Sequence, residues 1–359
     1  MPSGANIGEW SEFYVFLKVL SDRKLISADA DLFPIPGQDV PVIKVFHDET
    51  GSAEKTYDLS SQNSEQIIFS QNGSTPVVLD AQEISSKLNT IFNKILAGST
   101  HITEGDELMR YLNCSHRRGM PHGSKEDIAM IVHDPRTGQE PRMAYSIKSQ
   151  VGSPSTLLNA SGATNFLFEA TNTGQNLDLT TLNSNDRTKS RIDALMAAGM
   201  NLKYSGVSNN VFKQNMELID TFFPDIMATL LLRHYTSNKS GLMDVLDTFG
   251  STIELSSGAK VEKSAVIYKV KRFLVAVALG MTPSRAWSGT LSATGGYLIL
   301  KPDGELVCYH IFNINSFEDY LLRSTKFERG GESRHRYGEF YKEGEKNLIK
   351  LNLQIRFTK

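Results

Sequence analysis

Asp127-Ile-Ala-Met-Ile-Val-His133, Asp134-Pro-Arg-Thr-Gly-Gln-Glu-Pro141 and Arg142-Met-Ala-Tyr-Ser-Ile-Lys-Ser-Gln150 follow one another without a break. An apolar run, a segment crowded with turn formers and a second, alternating run read as a β-hairpin. With the turn centred between Thr137 and Gly138, Asp127 and Lys148 lie equally far from its middle. An antiparallel pairing then sets them opposite each other with side chains on one face. Alternate residues share a face, so Ser146 joins Lys148 and Ile147 turns toward the core.

A carboxylate beside a lysine at the open end of a hairpin suits metal-assisted phosphodiester cleavage. The carboxylate holds a divalent cation against the phosphate, and the ammonium orients the attacking water and screens the developing charge. The plain alternative is a cross-strand salt bridge on a sheet surface, which contributes little. A hydrolase with Ser146 as nucleophile and Lys148 as base is a further class, though no oxyanion element accompanies it.

Working outward, residues 7–25 read as an amphipathic helix, with Trp10, Phe13 or Tyr14, Leu17 and Leu20 at helical spacing. Glu9 and Glu12 fall on neighbouring positions of one face, either as a solvated first turn or as a supplier of a metal ligand. Strand-like runs follow at 42–46, 66–70 and 76–79. A helix comes next, with Asp80 and Glu83 as its capping box, an apolar stripe of Ile84, Leu88, Ile91 and Ile95, and Gly98 as its stop. A shorter helix over 103–112 leads to a basic, glycine-containing loop, 115–125. Its Arg117, Arg118 and Lys125 are candidates for gripping a nucleic-acid backbone.

After the hairpin, 153–165 is rich in Ser, Thr, Asn and Gly, which bond phosphates and base edges but are also ordinary loop chemistry. Gln150, Asn159, Ser161 and Asn165 are the candidates there. A strand over 166–169 ends in Glu169, a second candidate carboxylate. Helices follow at 192–200, at 211–235 with an interruption at Pro224, and at 261–279. Residues 296–300 and 306–312 flank an Asp-Gly turn and form a second hairpin. The stretch Arg329-Gly-Gly-Glu-Ser-Arg-His-Arg-Tyr-Gly338 is basic and glycine-flanked. Arginine reads guanine bidentately, so Arg334 and Arg336 are candidates for base readout, supported by Arg329, Ser333 and His335; the plain alternative is a solvated loop. The closing run, 348–357, reads as a strand.

The chain of 359 residues has room for one large or two modest domains, expected here as 1–184 with the catalytic core and 185–359 for recognition and assembly. A net charge of −2 excludes an argument from global basicity, so any positive potential toward nucleic acid is local. Cys114 and Cys308 lack metal-ligand spacing and fit a reducing cytosol. No secretory signal and no bilayer-length apolar run is legible, so no membrane association is expected.

Asp127, the Ser146-Ile147-Lys148 triplet, the run from Ser149 through Gly152, Thr156-Leu-Leu-Asn-Ala-Ser161 and Thr164-Asn-Phe166 together resemble the HpaII-type restriction endonucleases of the PD-(D/E)xK nuclease superfamily. Gly8-Glu-Trp-Ser-Glu12 and Leu351-Asn-Leu-Gln-Ile-Arg-Phe357 extend the resemblance over nearly the whole chain. Two departures stand out: Glu126 rather than proline precedes Asp127, and Ser146 occupies the usual place of the second acidic residue. The resemblance implies an α/β fold, with a mixed central β-sheet flanked by helices as a PD-(D/E)xK nuclease-like core and an added helical and hairpin C-terminal region. It also implies a type II restriction endonuclease that hydrolyses duplex DNA with Mg2+. Asp127 and the Ile147 carbonyl would ligate the metal, Glu12 or Glu169 would supply the missing carboxylate, and Lys148 would activate water. Recognition of CCGG, action as a homodimer, a protecting DNA methyltransferase and a prokaryotic cytoplasmic setting are implied by the same resemblance. A non-cleaving DNA-binding protein and a repair or structure-specific nuclease remain as alternatives.

Overall fold

The computed structural model describes residues 5–116, 125–171 and 177–358. The fold is mixed α/β, and the chain divides into two compact units, Met1–Ser155 with Leu291–Tyr320, and Thr156–Thr290 with Leu321–Lys359. The units thus interleave along the sequence, whereas the sequence reading places a single cut after residue 184.

Among the described residues, the first unit carries a nine-stranded sheet. At its centre Gly296–Leu300 runs parallel to Arg142–Ser149, which pairs antiparallel with Ile128–Val132, and that strand in turn with Pro34–His47. The first helix, Ile7–Asp22, starts at an Asn6 cap. Asn6 Oδ1 accepts the Glu9 N–H, and Glu9 Oε2 accepts the Asn6 N–H, so the carboxylate of Glu9 is part of the cap. The helix is shorter than expected because Arg23 takes the left-handed conformation and Lys24–Ala28 leaves it as a strand. Trp10, Phe13, Leu17 and Leu20 join Ile84, Leu88, Ile91 and Ile95 in one core, which covers the sheet face bearing Ile128, Tyr145 and Ile147.

The helix Gln82–Leu96 lacks the expected capping box, because Asp80 lies one residue too early and bonds the Gln82 N–H from outside the cap. Tyr297, Tyr309, Phe317 and Tyr320 form a separate aromatic cluster. Gly296 has a φ of +113°, and a Cβ there would lie 2.0 Å from the Tyr309 carbonyl oxygen, so only glycine permits this strand to lie so close to its partner.

In the second unit, Asn201–Val207, Asn165–Thr171, Lys346–Asn352 and Phe340–Glu343 form a four-stranded sheet, and Thr325–Phe327, Ile355–Phe357 and Thr156–Leu158 a three-stranded one. The closing run is therefore two strands in two sheets. Pro224 starts the helix Phe223–Thr236 rather than kinking a longer one, as a residue without an N–H does at a first turn. Among the described residues, no helix is long and apolar enough to cross a membrane.

Candidate active site

The hairpin forms with its register two residues from the expected one. Ile128 stands opposite Tyr145 and Ile131 opposite Arg142, so Asp127 faces Ser146 rather than Lys148. Asp134 sets this register. Its carboxylate accepts the Arg136 N–H and the Thr137 hydroxyl, its own N–H donates to the Gln139 carbonyl, and Gly138 N–H donates to the Asp134 carbonyl. His133 meanwhile gives its N–H to Pro41 rather than across the hairpin. The turn is centred between Arg136 and Thr137 as a result. A slip of two residues changes partners but leaves every side chain on its face.

Asp127 is held firmly. Its N–H donates to the Tyr145 carbonyl at 2.7 Å, and its Oδ2 accepts the Ser146 hydroxyl at 2.9 Å and the Ile147 N–H at 2.7 Å. No hydrogen bond reaches Oδ1 among the described residues. Asp127 and Lys148 form no ion pair with each other, so neither the expected direct contact nor the plain salt bridge is present. The Lys148 ammonium lies 5.6 Å from the centroid of the Tyr297 ring instead, within cation–π range.

Tyr297 is paired in register with Ser146 and is hydrogen-bonded to its side chain. Burial, and then the negative charge of Asp127, push its phenol well above the usual range. Ser146 is 1% exposed. Its hydroxyl hydrogen goes to Asp127, which leaves it badly placed as a nucleophile activated by Lys148. Lys125, expected only as a phosphate contact, lies within electrostatic reach of Lys148 and Asp127. Burial lowers its pKa, the charge of Lys148 lowers it further, and Asp127 opposes both. Its N–H is anchored by the Ser292 hydroxyl at 3.1 Å.

Oxygen donors dominate this site. A strand residue's N–H and C=O leave the same edge, so the Ile147 carbonyl shares the edge on which its N–H meets Asp127. It and Asp127 Oδ1 are hard oxygen donors, the kind that a divalent cation such as Mg2+ takes. Among the described residues, no group of three His, Cys, Asp or Glu converges to hold a metal ion. Glu12 is half-buried on the first helix, which packs on the Ile147 face of the sheet. Glu169 belongs to the second unit and pairs with Lys346 at 2.9 Å.

Of the candidates for nucleic-acid contact, Arg117 and Arg118 lie outside the described residues. Gln150 is half-buried and its N–H donates to Leu300; Asn159 is exposed, and Ser161 is half-buried. Asn165 is buried, giving its amide hydrogen to the His335 carbonyl and accepting from Asn352. Ser333, Arg334 and Arg336 are exposed and His335 half-buried around the short helix Glu332–His335. Arg329 lies over the Tyr235 ring at 4.9 Å. Glu332 fastens this segment, accepting the Thr188 N–H at 3.0 Å and pairing with Arg191 at 3.2 Å, while Arg191 also donates to the Gly338 carbonyl. Tyr297 escaped notice in the sequence because no local motif surrounds it. Only the strand order, which brings 296–300 beside 142–149, reveals it.

Comparison with known proteins agrees with the family resemblance drawn from the sequence. The Type II restriction enzyme HpaII of Haemophilus parainfluenzae is 38% identical over 355 residues, covering 98% of this chain and 98% of that protein. No solved structure matches. The model of the HpaII restriction endonuclease family matches residues 6–357, and with both similarities running nearly end to end, the chain belongs to that family.

Proposed function

We propose that the protein is a type II restriction endonuclease that hydrolyses double-stranded DNA at CCGG with Mg2+, through a PD-(D/E)xK nuclease core built on the 127–149 hairpin. One observation carries the chemistry: the Asp127 carboxylate is fixed through Oδ2 alone, with the Ile147 carbonyl on the same edge and Lys148 on the same face. Asp127 Oδ1 and the Ile147 carbonyl would hold the cation, with Glu12 as the candidate for a further carboxylate and Glu169 as the alternative. When bound, Mg2+ supplies Lewis-acid polarisation of the scissile phosphate and of water.

The chain's own residues do the rest. Lys148, kept close to Tyr297, orients the attacking water and offsets negative charge as the water oxygen bonds to phosphorus and the ester oxygen leaves. Ser146 and the Ile147 N–H keep the Asp127 carboxylate from rotating. Lys125 adds a second positive charge near Lys148 for the DNA backbone, a role in which Arg117, Arg118, Gln150, Asn159 and Ser161 join it. Arg334 and Arg336 read guanine, with Arg329, Ser333 and His335 in support, on a segment held by Glu332, Arg191 and Asn165. The first unit would carry catalysis, and the second, recognition and assembly. A palindromic target favours a homodimer, and a companion methyltransferase would protect the host's own sites.

The test is digestion of a plasmid of known sequence with Mg2+ or with EDTA, using the wild type and Lys148→Ala. Discrete Mg2+-dependent fragments ending at CCGG, absent for the variant, are expected. Fragments ending elsewhere would discard the specificity and keep the reaction. Intact DNA binding without any cutting would favour a non-cleaving DNA-binding protein.

A further inference from the structure

Tyr297 belongs to none of the motifs that carry the family likeness, yet it is the residue on which the Asp127 site rests. It is 1% exposed, stands beside Ser146 in the parallel pairing, and packs on Phe317 with ring centroids 5.0 Å apart and the planes tilted by 55°. The hydrogens along this chain of oxygens have one arrangement. The Asp127 carboxylate only accepts, so the single Ser146 hydroxyl hydrogen is committed to Oδ2. Ser146 Oγ can then serve Tyr297 only as an acceptor, and the phenol must donate. The order is Tyr297 to Ser146 to Asp127. The Tyr297 ring also lies 5.6 Å from the Lys148 ammonium, so the same side chain touches both halves of the site.

We propose that Tyr297 is a positioning residue of the hydrolytic site: its hydroxyl fixes Ser146, which fixes Asp127 with Oδ1 free for the cation, while its ring seats Lys148. Ser146, standing in place of an acid, thereby acts as a link in a hydrogen-bonded support rather than as a ligand. The proposal rests on the Mg2+-nuclease reading above. It separates two functions of one side chain, because phenylalanine keeps the ring and removes only the hydroxyl.

The experiment uses the full chain and measures single-turnover cleavage of a CCGG-containing duplex against Mg2+ concentration. Wild type, Tyr297→Phe, Ser146→Ala, the double variant and Tyr297→Leu are compared, with thermal melting and DNA binding in Ca2+ recorded for each. Tyr297→Phe should raise the half-saturating Mg2+ concentration about tenfold, the scale seen when an outer-shell partner of a ligand is removed. Its rate at saturating Mg2+ should change little. Ser146→Ala should show a similar displacement, and the double variant no more than either alone, since both break one chain. Tyr297→Leu should also lower the saturating rate.

An unchanged Mg2+ requirement in a folded Tyr297→Phe, or additive displacements, would overturn the proposal. If Tyr297→Phe fails to fold, an unchanged requirement in Ser146→Ala overturns it. A wild type that never cuts in Mg2+ overturns the nuclease reading itself, a result separate from one confined to the variants.

Discussion

Acid should loosen the first unit through one buried histidine. His310 is 1% exposed, its Nδ1 accepts the Phe312 N–H at 3.1 Å, and its ring lies 5.7 Å from that of Tyr145. Burial lowers its pKa from 6.5 to about 4, with the Arg136 charge helping and the Asp134 charge opposing. The folded protein therefore keeps His310 neutral where an unfolded chain takes up a proton. This contribution is fully present above pH 6.5, is lost as pH falls toward about 4, and levels off below that. The displacement corresponds to about 3 kcal/mol of unfolding free energy at its full extent. Carboxylates held below their usual range, Asp134 among them, act in the same direction but at lower pH.

Urea unfolding read from Trp10 in the first unit, in a Trp287→Phe background, checks this between pH 7.5 and 4.5. The same series is run with His310→Asn, whose Oδ1 can accept the Phe312 N–H without titrating. Wild-type stability should fall steeply across that window and the variant's should fall much less. A flat wild-type profile, or equal slopes in the two, would refute the assignment of a neutral His310.

His234 in the second unit, likewise lowered to about 4 chiefly by burial, should give a parallel acid loss read from Trp287 in a Trp10→Phe background; His234→Gln should flatten it. Asp127→Asn should abolish cleavage on gels, by on the order of a thousandfold or more, because its amide can no longer serve as an anionic ligand, while melting temperature changes little. Glu332→Ala removes the partner of Arg191 and the acceptor of the Thr188 N–H. In a binding assay it should weaken affinity for the specific duplex more than for a random one, and equal losses would detach that segment from recognition. Arg336→Ala should cost about 1–3 kcal/mol of discrimination at one base position, as loss of a bidentate contact does, measured by competition among single-base variants of CCGG.

Much of the architecture was legible where periodicity is strong. The helices Ile7–Asp22, Gln82–Leu96 and Lys263–Leu279, and the hairpin Gly296–Leu300 with Leu306–His310, follow apolar spacing and turn chemistry directly. Boundaries failed where a single backbone conformation decided them, as at Arg23. Lys55–Asp58 escaped because it is only four residues long, and Asn201–Val207 because it is largely exposed and defined by a partner strand at Asn165–Thr171. The interleaving of the two units is likewise a property of tertiary pairing. No local pattern tells residues 296–310 to join a sheet whose nearest other strand in sequence, Arg142–Ser149, ends at residue 149.

At the site, parity was legible and partnership was not. Which face a strand residue occupies depends only on odd or even position, so Asp127, Ser146 and Lys148 share a face at any even slip of the hairpin. An odd slip would bring Ile147 out and push the Lys148 ammonium into the core lined by Tyr145 and Ile128. Burying an unpaired charge there costs several kcal/mol, which forbids it. Between even registers no such penalty operates, and the choice falls to the turn, where the hydrogen bonds of Asp134 outweigh the Thr137-Gly138 signal. That choice gives Asp127 to Ser146 instead of Lys148, and so turns a direct charge pair into a carboxylate supported from behind by a hydroxyl and an amide. The ammonium is thereby left unpaired with the acid, and in the proposed nuclease reaction it serves water and phosphate, which a tight Asp127–Lys148 pair would have prevented.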